Sequence, residues 1–229
     1  MKRLILLTLC GGMAFAGTAS IVSSFRSPCI TYAWGIDYHG GYVYHGDGHN
    51  YIYRTTTTGT LLGSLSVGNA SAGIDRTNFE FWTCNLGGFI FRLSTTTGSV
   101  IRSFERPVYG YGIAYGEGFL WYSSTSYVYK LTVNGSLVSS FRLPTTSHRG
   151  MCWDAPYLWT ASNGTRMIYQ ITQRGSVVDS ISTAPNNPYG VTWDGSYLWY
   201  TAGTWVYKTQ VDFTPVAPAS LGKVKALYR

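Results

Sequence analysis

Short runs of alternating apolar and polar residues recur along the chain, and turns that contain glycine separate them. Residues 189–208 show the pattern most clearly, as GVTW, an Asp194-Gly195 turn, SYLWYT, a second turn and TWVYK. Aromatic runs with period-two alternation on both sides of Asp-Gly are a strong β-hairpin signal. The pattern therefore predicts three consecutive antiparallel strands in this segment.

The same three-strand unit occurs five times. Each copy starts at a glycine followed by an apolar residue, and successive glycines are 38 to 40 residues apart. These anchoring glycines are Gly35, Gly73, Gly112, Gly150 and Gly190. The third strands read YIYR, FIFRL, YVYKL, MIYQI and WVYKT. A fixed period of about 40 residues with several short strands is typical of a β-propeller and not of a helical solenoid.

A fourth strand follows the third in four of the units, at 60–65, 99–104, 136–141 and 176–181. The fifth segment of this kind, SIVSSF at 20–25, comes before the first complete unit. If it pairs with the last blade, it closes a ring and leaves few open strand edges. The sequence thus predicts an all-β fold, a single β-propeller of five four-stranded blades closed by residues 20–25.

Both ends of the chain differ from the repeats. Residues 1–16 combine a basic start, an apolar stretch and an Ala14-Phe15-Ala16 motif. This combination indicates a secretory signal peptide, and hence a secreted or cell-surface protein. Residues 17–213 form the predicted propeller. Residues 214–229 read as a proline-containing spacer followed by an alternating, strand-like tail.

The tail is one strand more than the predicted ring requires. It could extend the last blade, replace the N-terminal strand there, or pair with a neighbouring molecule. The last arrangement would join molecules head to tail into filaments. An extra edge strand or a frayed end is the simpler alternative. The pairing residues of an assembling tail would be Leu221, Val224, Ala226, Leu227 and Tyr228.

Charge is sparse in the predicted ring. The net charge is +7, but five of the 17 basic residues lie in the leader and the tail, so 12 basic and 10 acidic residues remain in the ring. A nearly neutral ring does not favour nucleic-acid binding. Aromatic residues make up 16% of the chain, and packing between blades explains most of them. No phosphate-binding loop or nucleophile-elbow motif occurs, and no cofactor is predicted.

Three cysteines lie beyond the leader, at Cys29, Cys84 and Cys152. Their wide spacing matches no zinc-binding pattern. One disulfide with a free thiol, or three buried thiols, are both compatible with the sequence. Buried thiols are favoured because each cysteine lies in or beside a predicted strand.

Two aspartates have equivalent positions in neighbouring units. Asp37 and Asp75 each lie two residues after the anchoring glycine, on the predicted innermost strands, so their carboxylates should approach each other near the axis. Paired carboxylates are what glycoside hydrolysis requires. The other units have Ala114, Cys152 and Thr192 there, and a structural or solvated pair is therefore the interpretation we favour. No catalytic residue is assigned.

One cluster of possible metal ligands surrounds a hairpin of the first unit. His45, Asp47 and His49 could hold a transition metal between them. The turn is rich in glycine, however, and polar residues are common in such turns without a ligand. The three residues are thus only a weak candidate metal site.

The repeated GVTWDGSYLWYT…VYK…GSVV pattern across residues 20–209 resembles the secreted bacterial propeller repeats related to the NHL and YVTN groups. The resemblance implies the propeller fold and extracellular placement, without an activity. The histidine and acid set of the lyase members of that broad group has no match in this sequence.

We therefore expect a non-enzymatic extracellular structural or interaction protein that self-associates through its tail or binds another extracellular protein. After removal of the signal peptide, neither membrane insertion nor nucleic-acid binding is expected. A carbohydrate-binding propeller, with aromatic platforms between blades that stack on sugars, is the main alternative. A glycoside hydrolase that uses Asp37 and Asp75 is a third. Fold alone does not choose between them.

Overall fold

The computed structural model describes residues 16–211, with the exception of residues 30 and 107. These residues form twenty β-strands, and none belongs to a helix with the length and apolarity that a membrane crossing requires. The strands are arranged as five four-stranded antiparallel blades around one axis. The predicted five-bladed propeller is therefore confirmed.

Each blade is a meander whose first strand lies nearest the axis. The strands of blades 1 and 2 are β2 (Ile36–His39), β3 (Tyr42–Gly46), β4 (Tyr51–Thr55), β5 (Leu61–Ser66), β6 (Gly73–Arg76), β7 (Glu80–Cys84), β8 (Phe89–Ser94) and β9 (Val100–Glu105). Those of blades 3 and 4 are β10 (Gly112–Gly116), β11 (Phe119–Ser123), β12 (Tyr127–Thr132), β13 (Leu137–Arg142), β14 (His148–Asp154), β15 (Tyr157–Ser162), β16 (Met167–Ile171) and β17 (Val177–Ser182). Blade 5 contributes β18 (Val191–Trp193), β19 (Leu198–Ala202) and β20 (Trp205–Val211).

The N-terminal strand, β1 (Ala16–Arg26), supplies the missing outer strand of blade 5. It runs antiparallel to β20, from the pair Ala19 and Val211 to the pair Arg26 and Trp205, with a bulge near Ile21. This pairing confirms that residues 20–25 close the ring. Residues 1–15 of the predicted signal peptide 1–16, and the tail at 214–229, lie outside the described residues, so the predictions made for them remain predictions.

The start of β1 makes a second connection that the sequence did not reveal. Residues Ala16–Thr18 run parallel to Ser180–Ser182 of β17, the outer strand of blade 4. Blades 4 and 5 are therefore joined into one eight-stranded sheet. A single strand thus ties two neighbouring blades together at the point where the ring closes.

The hydrophobic core is divided among the five interfaces between blades. Each interface has its own cluster of buried residues, drawn from the facing sheets of two neighbours. The clusters at the interfaces of blades 3 with 4, 4 with 5, and 5 with 1 contain the fully buried side chains of Trp121, Trp159 and Trp199. Blades rather than layers are therefore the packing units, as in other radial repeat folds.

One contact repeats at every blade interface. A residue on the second strand of each blade packs against the residue three positions after the anchoring glycine of the next blade. Four of these contacts are ring stacks, with centroid separations of 5.7–6.5 Å: Trp199 with Tyr38, Trp82 with Tyr115, Trp121 with Trp153, and Trp159 with Trp193. In the fifth, the Arg76 guanidinium lies 4.9 Å from the ring centroid of Tyr44, a cation–π contact.

The indole N–H groups of these tryptophans differ in their hydrogen bonding. Trp159 Nε1 donates to Asp154 Oδ2 at 3.0 Å, and Trp199 Nε1 donates to Asp194 Oδ2 at 2.7 Å. Blade 2 has Thr77 at the equivalent position, and in the part of the chain described, Trp82 Nε1 is buried without a hydrogen-bond partner. A buried donor without a partner costs about 1–3 kcal/mol.

This difference predicts that Thr77→Asp stabilises the protein. Thr77 Oγ1 accepts the Glu80 amide in its turn, as Asp194 Oδ1 accepts the Tyr197 amide in the equivalent turn of blade 5. An aspartate at position 77 therefore fits the turn, and its second oxygen can reach Trp82. We expect the free energy of unfolding in urea to rise by about 1 kcal/mol. Thr77→Asn is the matched control, because its NH2 group cannot accept from the indole. Equal stability of the two variants would contradict the prediction.

Ring closure gives a second prediction. Phe25 on β1 is 8% exposed and packs with Ile36, Val43, Trp199 and Val206 between blades 5 and 1. Phe25→Ala should lower the unfolding free energy by about 3–5 kcal/mol, the usual cost of emptying an aromatic core position.

Ile21→Ala on the same strand provides the control for Phe25→Ala. Ile21 is 53% exposed, so its truncation should change the unfolding free energy by less than about 1 kcal/mol. Similar losses for the two variants would show that Phe25 does not anchor the closing strand.

Candidate active site

The five anchoring glycines and the residues that follow them line the narrowest part of the axis, which has no room for a water molecule. Glycine is required there because the inner strands approach so closely. A Cβ atom on Gly190 would lie 2.4 Å from the Trp34 carbonyl oxygen, and one on Gly150 would lie 2.4 Å from that of Tyr189. The axis is therefore closed at this level.

One step beyond the glycines, the side chains of the next ring connect neighbouring inner strands. Asp37 Oδ2 accepts the Arg76 amide at 3.2 Å, and Asp75 Oδ2 accepts the Tyr115 amide at 2.9 Å. Thr192 Oγ1 accepts the Tyr38 amide at 3.2 Å. In each case a side chain of one blade binds a backbone N–H of the next. Part of the role of the two aspartates is therefore structural, as the sequence suggested.

The structure also brings the two carboxyl groups into electrostatic contact, as their shared register predicts. Asp37 is only 8% exposed, and Thr192 Oγ1 donates to its Oδ1 at 3.3 Å. Burial, and then the charge of Asp75, raise the pKa of Asp37 well above its ordinary value. Burial raises the pKa of Asp75 from 3.8 to about 7, and the hydrogen bond from the Tyr115 amide opposes the rise. Both carboxyl groups therefore ionise less readily than an exposed aspartate, and Asp75 titrates near neutral pH.

Asp75 is the more accessible member of the pair. It is half-buried, and no described residue donates a hydrogen bond to its Oδ1. The half-buried residues beside this ring are the ones that stack between blades: Tyr38, Arg76, Tyr115, Trp153 and Trp193. Asp75 therefore presents one free oxygen within a largely aromatic surrounding, which suits proton transfer to and from a bound molecule.

The weak candidate metal site does not assemble. His45 is fully buried, with Nδ1 3.0 Å from Ser27 Oγ and Nε2 3.4 Å from Thr55 Oγ1. Asp47 Oδ1 instead accepts three backbone amides of its turn, including that of the exposed His49. Within residues 16–211, as far as they are described, no group of three or more His, Cys, Asp or Glu side chains could hold a metal ion.

The cysteines are free, buried thiols, as favoured from the sequence. Burial raises the pKa of Cys29 to about 11 and that of Cys84 to about 12. Cys152 lies in the ring of Asp37 and Asp75, and burial followed by nearby carboxylates raises its pKa as well. Since the thiolate is the nucleophile, none of the three is activated for attack. The assembly residues proposed for the tail, Leu221 to Tyr228, lie outside the described residues.

The contributions of Thr192 and Arg76 to the ring are features that sequence reasoning missed. The sequence signal for both was their position in the repeat. Thr192 has the same repeat position as Asp37 and Asp75, and Arg76 has the same repeat position as Tyr38. The order of blades around the axis decides which neighbour each side chain reaches. A comparison of repeats along the chain does not identify that neighbour.

No protein-family model matches the chain, and no curated protein matches it in sequence. The fold is similar to that of a glutaminyl cyclase from Myxococcus xanthus, with a TM-score of 0.74 and 14% sequence identity over 86% of this chain and 97% of that one. It is also similar to a streptogramin B lyase, with a TM-score of 0.52 and 18% identity over 80% of this chain and 66% of that one. The propeller fold is therefore shared with both.

These similarities correct one expectation. The protein was expected to be non-enzymatic, but both of these structural neighbours are enzymes, so the shared fold does not support that expectation. The expectation rested on the absence of a recognisable catalytic set, the low charge and the surplus strand, and none of these excludes an axial site built from residues of separate blades. The propeller part of the NHL and YVTN resemblance is confirmed, whereas membership of those groups and secretion remain predictions.

The raised pKa of Asp75 gives a pH-dependent prediction for stability. Between about pH 4 and 7 the native state retains a proton that the unfolded state has released, so this carboxyl stabilises the fold at pH 4 and that contribution is lost as the pH rises through 7. We expect the free energy of unfolding of Asp75→Asn, minus that of the unaltered protein, to increase between pH 4 and pH 7 by up to about 3 kcal/mol.

Urea denaturation at several pH values measures this difference. Burial lowers the pKa of His45 to about 3 and that of His148 to about 4, so these side chains destabilise the protein as the pH falls below about 6.5. They are the same in both proteins, and their contribution cancels in the difference. Parallel stability curves for the two proteins would refute the assignment of the shifted pKa to Asp75.

Proposed function

We propose that the protein is an enzyme whose active site lies on the propeller axis, with Asp75 as the catalytic acid and base. The observation that carries the proposal is the environment of this carboxyl, which has one free oxygen and a pKa raised by burial to about 7. A catalytic group works best when its pKa lies near the operating pH. Asp75 meets that condition.

Asp37 supports Asp75 and does not take part in proton transfer itself. It is more deeply buried than Asp75, and both of its oxygens have partners within the protein, Thr192 Oγ1 and the Arg76 amide. Because its pKa is raised, Asp37 ionises less readily and so limits the like charge close to Asp75. Asp37 is therefore a positioning residue.

The substrate class we propose is a peptide with an N-terminal glutaminyl residue. The support is the likeness to the glutaminyl cyclase fold, which covers 97% of that protein's chain. In such a reaction the α-amino nitrogen attacks the side-chain carboxamide carbon. A new C–N bond closes a five-membered ring, the original carboxamide C–N bond breaks, and ammonia leaves.

Asp75 suits both proton transfers of this reaction. As a carboxylate, its free oxygen accepts the proton that the attacking amine loses. As a carboxylic acid, it then returns this proton to the departing nitrogen, which leaves as ammonia. The residue ends in its starting state, so no further reactant is required. Positioned acid–base catalysis of this kind contributes about 10²–10⁴-fold to a rate.

The test measures ammonia release and product mass with a short peptide that begins with glutamine, above the uncatalysed rate in buffer. Asp75→Asn should lower kcat by about 10²-fold or more, because asparagine keeps the bond to the Tyr115 amide but cannot carry the proton. Asp37→Asn should lower kcat much less, since a neutral amide resembles the protonated acid.

Asp179→Asn on the outer strand of blade 4 is the matched control and should leave kcat unchanged. Undiminished turnover by Asp75→Asn would rule out the site. An absence of turnover by the unaltered protein on glutaminyl peptides would rule out the substrate class.

A further inference from the structure

Clefts open at two blade interfaces, beside the third and fourth strands of blades 1 and 3. The first, of about 230 Å³, lies between blades 1 and 2, and the second, of about 370 Å³, lies between blades 3 and 4. The first is lined by Tyr44, Ile52, Arg54, Gly63, Ser64, Leu65, Arg76, Thr95 and Thr96. The second is lined by Trp121, Lys130, Ser139, Ser140, Phe141, Gln173 and Arg174.

The two clefts are repeats of one structural position. Arg54 pairs with Tyr44 across the sheet as Lys130 pairs with Trp121, and both basic residues lie on the third strand of their blade. Serines of the fourth strand, and the turn after the third strand of the next blade, complete each wall. Each cleft contains two basic side chains, Arg54 with Arg76 and Lys130 with Arg174. No lining residue is acidic.

The equivalent positions in the other blades lack this uncompensated charge. In blade 2, Arg92 forms an ion pair with Glu80. In blade 5, Lys208 Nζ lies 3.9 Å from Asp194 Oδ2. In blade 4 the position is Gln170, which is neutral. Of the five repeats, therefore, only blades 1 and 3 have a third-strand cation without a carboxylate partner among the described residues, and these are the blades that form the two clefts.

Several polar groups in the clefts have unused hydrogen-bonding capacity. Arg76 Nε is buried and, among the described residues, has no hydrogen-bond partner. Lys130 Nζ donates to Gln173 Oε1 at 3.3 Å and lies 4.1 Å from the ring centroid of Phe119, contacts that position its charge without neutralising it. Exposed hydroxyl groups of Ser64, or of Ser139 and Ser140, line the walls beside the cations.

We propose that these clefts bind the acidic units of a glycan, such as uronic acids. The two cations would bind the carboxylate by charge-assisted hydrogen bonds, which are stronger than neutral ones. The serine and threonine hydroxyls would bind the sugar hydroxyls, and half-buried Leu65 or Phe141 would face the apolar side of the ring. Sites of this size hold one or two sugar units, since drug-sized ligands occupy about 300–1,000 Å³.

Two similar clefts on one ring would bind the same chain at two points. Linking two weak sites through one ligand raises the overall affinity by avidity. The test below changes Arg54 and Lys130 and leaves Arg76 unaltered, because the Arg76 amide also binds Asp37 of the axial pair.

Calorimetry with a short oligogalacturonate tests the proposal. The full-length protein should bind it, and binding should weaken at least several-fold between low salt and about 0.5 M salt because screening acts on exposed charges. A neutral oligosaccharide of equal length should not bind. Arg54→Gln and Lys130→Gln combined should reduce the affinity at least tenfold.

Lys208→Gln is the matched control, since it removes a cation at the same repeat position that already has a carboxylate partner, and it should change the affinity less than twofold. Equal loss in this control, or no binding of the acidic sugar, would overturn the proposal. So would tighter binding of polyglutamate than of oligogalacturonate, or binding by inorganic sulfate of similar strength.

Discussion

The close approach of the five inner strands is the constraint on which the rest of the structure depends. The backbones come so near to each other that a Cβ atom at Gly150 or Gly190 would overlap a neighbouring carbonyl group. With the axis closed there, side chains one step further on can reach the backbone of the next blade. Asp37, Asp75 and Thr192 do so, and in this position Asp37 is buried and Asp75 is half-buried. The same packing that closes the ring therefore raises the pKa of its acids.

This arrangement has an energetic cost. A buried carboxyl that is forced to ionise destabilises the fold. A threonine at this position accepts the amide of the next blade equally well, as Thr192 does for Tyr38. The structural need is thus met without an acid, while blades 1 and 2 have aspartate. Strain of this kind is common where a site needs an altered pKa.

Much of the fold followed from the sequence, because each blade repeats its glycine, its aromatic residues and its turns at a fixed spacing. Ring closure followed from the displaced strand at 20–25. The parallel pairing of Ala16–Thr18 with β17 did not, since these residues also read as the end of a leader. The axial pair was visible as a shared register of Asp37 and Asp75, but its burial was not. The clefts were hidden because Glu80 and Asp194, which neutralise two equivalent cations, come from different sequence positions in their blades.

Departures from the repeat carry more functional information than the repeat itself. A position that serves the fold can be filled in the same way in all five blades, as the anchoring glycines are. The ring after those glycines and the third-strand cations both vary between blades. Blades 1 and 2 have an aspartate in the ring, and blades 1 and 3 have a third-strand cation without, among the described residues, the carboxylate partner found in blades 2 and 5. The exceptions occupy two sets of repeat positions, one in the ring that follows the anchoring glycines and one on the third strands. A propeller can therefore keep its packing constant while two or three blades change to hold a ligand, because each blade contacts only its neighbours.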